Sequence, residues 1–409
     1  MNEDEKEILV SNKHISLLQT IELTSCTRCG VCGDVCPTYQ QSKNIGLIPA
    51  VKLTFMKDKI LQKSLLRRIF GRKPLHSKDL TQKANDLYGC TLCGACTAFC
   101  PLLIDVRSLW PTFRMIVNES NFTPESVRIL GENVKKKENP YGVGEDLREF
   151  WIDSAELDYD PVKEKTNLIY FIGCTSAFKN QNEMIPISIA KILEHTGEDW
   201  AVLGNEEVCC GAPSLMSGDE ITASKLALRN LEMIEDREAT TLVTGCAGCY
   251  RMFKWEYPQL LGKKINLKVL HAVELLSQYI LEGKIQVELS DLKITYHDPC
   301  ELGRLGGILD EPRFILNTIT RNFVELPENK VQSKCCGGGG LLQVFDPEMA
   351  IKISSLRIKQ AEQIEVNILT SACPACEMAL KEAAQRSGST LKVLDIAELV
   401  AKQLALIPE

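Results

Sequence analysis

The sequence predicts a multidomain chain of mixed class, α+β and α/β. A helical N-terminal domain is followed by two duplicated α/β modules built on parallel sheets. Three observations predict it. A five-cysteine pattern occurs twice at nearly constant offset. Short apolar strands alternate with helical stretches from about residue 166 onward, the signature of a parallel sheet. Between residues 51 and 69 the apolar residues recur at helical rather than alternating spacing.

In the first copy of the pattern, Cys174 is followed by Cys209-Cys210 and by Cys246-x2-Cys249. In the second, Cys300 is followed by Cys335-Cys336 and by Cys373-x2-Cys376. Corresponding cysteines are offset by 126, 126, 126, 127 and 127 residues, a constancy that marks an internal duplication. At 409 residues the chain has room for roughly two to four domains. Its net charge of −7 argues against a nucleic-acid partner, which would call for a basic face. No apolar run approaches the ~20 residues of a membrane-spanning helix. The start, MNEDEKEILV, is acidic and lacks the features of a secretory signal. These observations predict a cytoplasmic protein that could still dock on a membrane partner.

The 18 cysteines are anomalous for such a chain. A reducing compartment disfavours disulfides, so metal ligation is the better reading. Two runs of four and two motifs of five use every cysteine. The runs of four are Cys26-x2-Cys29-x2-Cys32-x3-Cys36-Pro37 and Cys90-x2-Cys93-x2-Cys96-x3-Cys100-Pro101. Each is the bacterial-ferredoxin run, whose fourth cysteine crosses to the other cluster in two-cluster proteins. That rule predicts one 4Fe-4S cubane on Cys26, Cys29, Cys32 and Cys100, and a second on Cys90, Cys93, Cys96 and Cys36. Two structural zinc sites are the alternative, but they do not explain the x2-x2-x3-Pro form.

Residues 1–25 read as a short helix or frayed tail, with Ile8, Leu9, Ile15 and Leu18 loosely periodic. Between the cysteine runs, Val51, Leu53, Phe55, Met56, Ile60, Leu61, Leu65, Leu66 and Ile69 predict helix. Lys57, Lys59, Lys63, Arg67, Arg68, Arg72 and Lys73 fall on its outer face. A solvated face is the ordinary reading of such a run; a docking surface for an acidic partner or lipid headgroups is the sharper one. Further helices are predicted near 105–117 and 124–138, closing a helical domain over 1–138. Gly, Pro and dense charge at 139–165 read as a linker.

The modules span 166–288 and 289–409. Each opens with a strand that ends in its first cysteine, 168–174 or 294–300. Helices follow at about 180–195 and about 311–322, then the paired cysteines in CCGAP and CCGGGG. Another helix in each has an aspartate, Asp219 or Asp346, placed to cap it. A strand at 241–244 or 367–370 then runs into Cys-x2-Cys, and a last strand, 267–270 or 391–394, precedes the final helix. Ligands of such sheets gather at the carboxyl ends of the strands, where every module cysteine falls.

Thiolates are soft ligands suited to iron–sulfur clusters, copper(I) or zinc. The Cys…Cys-Cys-Gly…Cys-x2-Cys module resembles that of heterodisulfide reductase catalytic subunits. A ferredoxin domain fused ahead of two such modules is similar to the D-type subunit of that family, from about Cys26 to the C-terminus. The resemblance implies a noncubane 4Fe-4S cluster on Cys174, Cys209, Cys210, Cys246 and Cys249. It implies a second on Cys300, Cys335, Cys336, Cys373 and Cys376. It further implies that a small disulfide, that of coenzyme M and coenzyme B, is cleaved between them with electrons arriving singly through the cubanes. All ten cysteines are then catalytic as well as ligating. Around them, the run Gly337-Gly338-Gly339-Gly340 allows close backbone approach or merely a turn. His297 and His271 are candidates for a proton or hydrogen bond to cluster sulfur, a structural role being the more ordinary reading. Arg304 and Lys334 could pair with anionic substrate groups, surface solvation being the alternative.

Two rivals stand beside this reading. One is an electron-transfer subunit of a glycolate- or lactate-oxidising complex; the other is a reductase of a protein-bound trisulfide in sulfur metabolism. CCGGGG is not a dinucleotide fingerprint, so electrons must come from a partner. The resemblance implies a membrane cytochrome b-type subunit fed by a quinone-like carrier, with a soluble flavoprotein donor as the alternative. A peripheral, cytoplasm-facing subunit is expected.

Overall fold

The computed structural model describes residues 7–8, 11–61 and 75–408. The expected positions Leu9, Lys63, Leu65, Leu66, Arg67, Arg68, Ile69, Arg72 and Lys73 lie outside the described residues. The chain packs as two compact units. The first holds residues 1–131 together with 213–220 and 337–353; the second holds 132–212, 221–336 and 354–409.

The first unit is helical apart from one antiparallel pair, β1 (Glu7–Ile8) with β2 (Leu75–His76). Its helices include Leu17–Ser25, Pro49–Phe55, Ser77–Tyr88 and Val106–Glu119. Ser16 caps the first through a reciprocal bond with Gln19, satisfying amides that a helix start leaves orphaned. Val106–Glu119 buries Leu109, Trp110, Phe113, Ile116 and Val117, the stripe of an amphipathic helix. The two ferredoxin runs share a local conformation. Each places a left-handed residue two after its first cysteine, Arg28 (φ 61°) and Leu92 (φ 55°), and a left-handed glycine two later, Gly30 and Gly94. Short helices Val31–Asp34 and Ala95–Ala98 then carry the third cysteine of each run.

The second unit contains two four-stranded parallel sheets of identical order. The first runs β4 (Trp200–Ala201), β3 (Leu168–Tyr170), β5 (Thr241–Thr244), β6 (Lys268–His271). The second runs β8 (Thr320–Phe323), β7 (Ser290–Tyr296), β9 (Ile368–Ser371), β10 (Lys392–Asp395). The duplication of sequence is thus a duplication of topology. Every residue of β3 and of β9 is buried, as parallel strands covered on both faces require.

Two edge strands went unpredicted. β4 is two residues long and shows no alternation. The helix expected to reach about 322 ends at Ile319, because Thr320 turns to extended backbone (φ −144°, ψ 147°) and Thr320–Phe323 pairs with β7. Stretch 139–165 carries the helix Phe150–Ala155 and buries Arg148 and Trp151 in the second unit. The aspartates before the paired-cysteine helices sit where capping needs them, and Asp346 accepts from Met349 N at 3.0 Å.

Candidate functional site

In the first unit one cavity is lined by Cys26, Cys29, Cys32 and Cys100, with Cys96, Ala50 and Leu53 at its wall. Cys29 is exposed; Cys26, Cys32 and Cys100 are half-buried. Cys36, Cys93 and Cys96 are buried, and Cys90 is half-buried. Burial pushes the Cys36 and Cys96 thiols above their ordinary range, and the negative charge of Cys90 adds to both. Crowded, buried thiols of this kind ionise only when a cation compensates them, which is what a metal centre supplies.

The second unit gathers the module cysteines at one edge of the sheets. Cys174 opens the helix after β3, Cys246 follows β5 and Cys373 follows β9. Cys209-Cys210 and Cys335-Cys336 lie beyond the edge strands β4 and β8. Their sulfurs form a run within hydrogen-bonding reach: Cys174 to Cys209, Cys209 to Cys210, Cys210 to Cys249, Cys249 to Cys246. Cys246 reaches Cys373 of the other module, and from there the run continues to Cys376, Cys336 and Cys335. The Cys336–Cys376 separation is 3.1 Å. Hydrogen bonds from Cys249 and Cys373 hold the Cys246 thiol well below its ordinary range, and those from Cys209 and Cys249 bring Cys210 down to about 6. Neighbouring thiols move the other way: bonds with Cys336 and Cys373 push Cys376 up, and bonds with Cys210 and Cys246 push Cys249 up. Cys300, half-buried in the turn after β7, stands outside this run among the described residues.

Each module sets a buried arginine–carboxylate pair near its first cysteine. In the first, Glu207 accepts from Ile172 N at 2.8 Å and Gly173 N at 2.9 Å, and pairs with Arg148 at 2.9 Å. Arg148 also reaches Cys174 Sγ at 3.8 Å. In the second, Arg313 holds Asp298 in a two-pronged bond of 2.8 and 3.0 Å, and Asp298 accepts from Lys330 N. A third buried arginine, Arg357, donates from Nε to His297 Nδ1 at 3.3 Å. That leaves the imidazole proton on Nε2; bonds with Cys335 and Cys376 hold the Cys336 thiol well below its ordinary range, and the nearby His297 adds to that. His297, Cys336 and Cys376 place their ligand atoms within 4.8 Å of one another. The position equivalent to His297 in the first module is Phe171, so the modules are not chemically equivalent.

The other candidates are structural. His271 caps the helix Ala272–Leu281, its Nδ1 accepting from Val273 N at 3.3 Å, and burial brings it down to about 4. Arg304 donates to the carbonyls of Val331 and Ser333. Lys334, 43% exposed, pairs with Glu328. In the glycine run a Cβ on Gly340 would lie 2.3 Å from Cys90 O, and one on Gly339 2.8 Å from Thr91 O. Close backbone approach is therefore its physical role, and the backbone approached belongs to the second ferredoxin run. Arg148, Glu207, Arg313 and Arg357 were not singled out by sequence reasoning.

The donor set is sulfur almost throughout, with one imidazole beside it. A structural zinc site wants four closed ligands in a tetrahedron; a continuous run of nine sulfurs suits iron–sulfur chemistry better. A 4Fe-4S dicluster domain model matches residues 22–104, and a cysteine-rich domain model matches twice, at 168–254 and 294–381. Over 409 residues the chain is 32% identical to the D-type subunit of the dihydromethanophenazine:CoB–CoM heterodisulfide reductase of Methanosarcina acetivorans, covering 98% of both chains.

The chain belongs to the family of heterodisulfide reductase D-type subunits. It is an iron–sulfur oxidoreductase of that family. A second relative is the EtfAB:quinone oxidoreductase of Syntrophomonas wolfei, 28% identical over 94% of this chain and 58% of its own length. Among solved structures, a hypothetical protein from Helicobacter pylori matches at 11% identity with TM-score 0.46, over 87% of this chain and 76% of that one. Among the described residues no helix is long and apolar enough to cross a membrane.

Proposed function

We propose that this chain is the disulfide-cleaving component of a multi-subunit complex, reducing the coenzyme M–coenzyme B heterodisulfide or a close analogue. The observation that carries the reading is the contact between Cys246 and Cys373, which makes one sulfur layer of the two modules. Cys26, Cys29, Cys32 and Cys100 would hold one cubane, and Cys90, Cys93, Cys96 and Cys36 the other. Cys174, Cys209, Cys210, Cys246 and Cys249 would hold one noncubane cluster, and Cys300, Cys335, Cys336, Cys373 and Cys376 the second. Bound clusters of this kind supply one-electron carriers and iron sites that accept a thiolate as the S–S bond breaks.

The residues around them have definite work. Two electrons and two protons convert one disulfide to two thiols, so protons must reach a buried sulfur layer. His297, its Nδ1 taken by Arg357 and its Nε2–H left toward Cys336, is placed to hydrogen-bond a thiolate sulfur there rather than to supply the proton. Arg148 and Arg357 set positive charge against the thiolates of Cys174 and Cys336. The electron donor would be a membrane cytochrome b-type subunit, leaving this chain peripheral on the cytoplasmic side. A soluble flavoprotein is the alternative, favoured by the likeness to the EtfAB:quinone oxidoreductase, in which case the chain passes electrons onward without a disulfide of its own.

The test is anaerobic turnover with a reduced viologen and the heterodisulfide. The reading expects two thiols released per two electrons consumed. Rapid electron transfer to a quinone analogue with no thiol release would favour the electron-transfer alternative.

A further inference from the structure

Two cations are buried in the first unit without a carboxylate. Lys52 is 2% exposed on the helix Pro49–Phe55, and its ammonium donates to the Asp86 carbonyl, at 3.3 Å, over the face of Trp110. The Asp86 carboxylate is taken by Lys83 at 2.6 Å. Arg114 is fully buried on the helix Val106–Glu119. Its guanidinium donates to four carbonyls, those of Met216, Gly340, Leu87 and Cys90, at 2.8 to 2.9 Å, and lies over the Tyr88 ring. Among the described residues neither cation pairs with an acid. An unpaired buried charge is costly enough that structures rarely keep it without a counter-ion.

Both cations lie against the turn that leads into the second ferredoxin run. Arg114 is bonded to the carbonyl of Cys90 itself; burial lowers its guanidinium from the ordinary range, and the negative charge of Cys90 opposes that. Lys52 is bonded to the carbonyl of Asp86, four residues before Cys90, so it is fixed against the same turn. Among the described residues, the set Cys26, Cys29, Cys32 and Cys100 has no such pair. Its neighbouring cation, Arg28, is 57% exposed and already lies 3.9 Å from Asp58. Arg107, bonded to Leu92 O, is half-exposed and solvent screens it.

We propose that Lys52 and Arg114 are fixed positioning cations that hold up the reduction potential of one cubane only, the inner one on Cys36, Cys90, Cys93 and Cys96. This rests on the cubane assignment of the preceding section. Reduction adds one negative charge to a cluster, and a cation held nearby in a low-dielectric interior favours that state. Arg114 has a second effect through its carbonyl bonds. It ties the Leu87–Cys90 turn to the segments that follow the paired cysteines of both modules, 213–220 and 337–353, so it also fixes where the inner run sits.

The test is an EPR-monitored redox titration of the intact chain carrying K52Q, R114Q, K52R or R114K, with iron counted on each. Loss of one cubane signal in C29S identifies the outer cluster. The charge-removing variants are expected to move the inner midpoint to lower potential by at least 59 mV, a tenfold change in its oxidised-to-reduced ratio. The outer midpoint should stay in place, and K52R and R114K should titrate like the parent. If R114Q fails to assemble its clusters, the K52Q and K52R pair decides. The proposal is overturned if both midpoints move together, if neither moves with the clusters present, or if the charge-retaining variants shift as far as the neutral ones. A parent chain that binds no cubanes would instead remove the functional reading beneath it.

Discussion

Replacing Gly340 with alanine isolates the backbone approach that the glycine run permits. Gly340 has φ +65°, and an added Cβ would lie 2.3 Å from Cys90 O and 2.5 and 2.8 Å from the Thr91 C and Cα atoms. All three are backbone atoms, which cannot rotate aside. The left-handed conformation costs a non-glycine residue about 1–2 kcal/mol, and forcing a methyl into a filled space costs about 1–3 kcal/mol more. G340A should therefore lose about 2–5 kcal/mol. Gly339 separates the two contributions. It has no positive φ, and its added Cβ meets Thr91 O at 2.8 Å, so G339A should lose only about 1–3 kcal/mol. The assay is anaerobic urea unfolding followed by the visible absorbance of the clusters, with iron release to a chelator measured in parallel. Because the backbone displaced carries Cys90, G340A should also release its first irons faster than the parent. Denaturant midpoints and iron release unchanged in both variants would refute the packing of this segment against the second ferredoxin run.

Three further outcomes are expected. In E207A, Arg148 loses its buried partner and the Ile172 and Gly173 amides lose their acceptor, so about 3–5 kcal/mol of stability should disappear by chemical denaturation, E207Q losing less. C373S removes the sulfur that joins the modules, and on a 4Fe count it should cost about four irons per chain while the ferredoxin signals persist. His271 is buried neutral, its pKa brought from 6.5 to about 4, so the unfolded chain binds the extra proton between those values. Its contribution, on the order of 3 kcal/mol, is present above about pH 6.5 and is lost as pH falls toward 4. H271N keeps a capping side chain without that titration, so urea midpoints of parent and variant should converge on acidification; parallel pH profiles would contradict it.

Much of this architecture was legible because cysteine spacing is a one-dimensional record of a three-dimensional site. The constant offset between Cys174–Cys249 and Cys300–Cys376 reported a duplicated topology before any strand was placed. The strands β3, β5, β7 and β9 announced themselves by running into cysteines. β4 and β8 did not, because two or four residues at a sheet edge carry no periodicity; Thr320–Phe323 was hidden as the tail of a helix. The buried cations were missed for another reason. Charged residues are read as solvated by default, yet Arg114 stands at the i+4 position of the stripe Trp110, Phe113, Arg114, Val117. Arg357 likewise shares a face with Ala350, Ile353 and Ala361. A charge on the apolar face of an amphipathic helix was the available signal. Arg148 and Glu207 offered none, lying 59 residues apart and meeting only in the folded chain.

The central claim is that the ten module cysteines form iron-bearing sites where a disulfide is opened. Anaerobic iron analysis combined with EPR of the oxidised chain, before and after addition of a thiol, tests it most directly. Four 4Fe clusters predict about sixteen irons and a paramagnetic signal that appears only with thiol. About eight irons, and a spectrum indifferent to thiol, would leave the ferredoxin runs as the sole clusters and contradict the account.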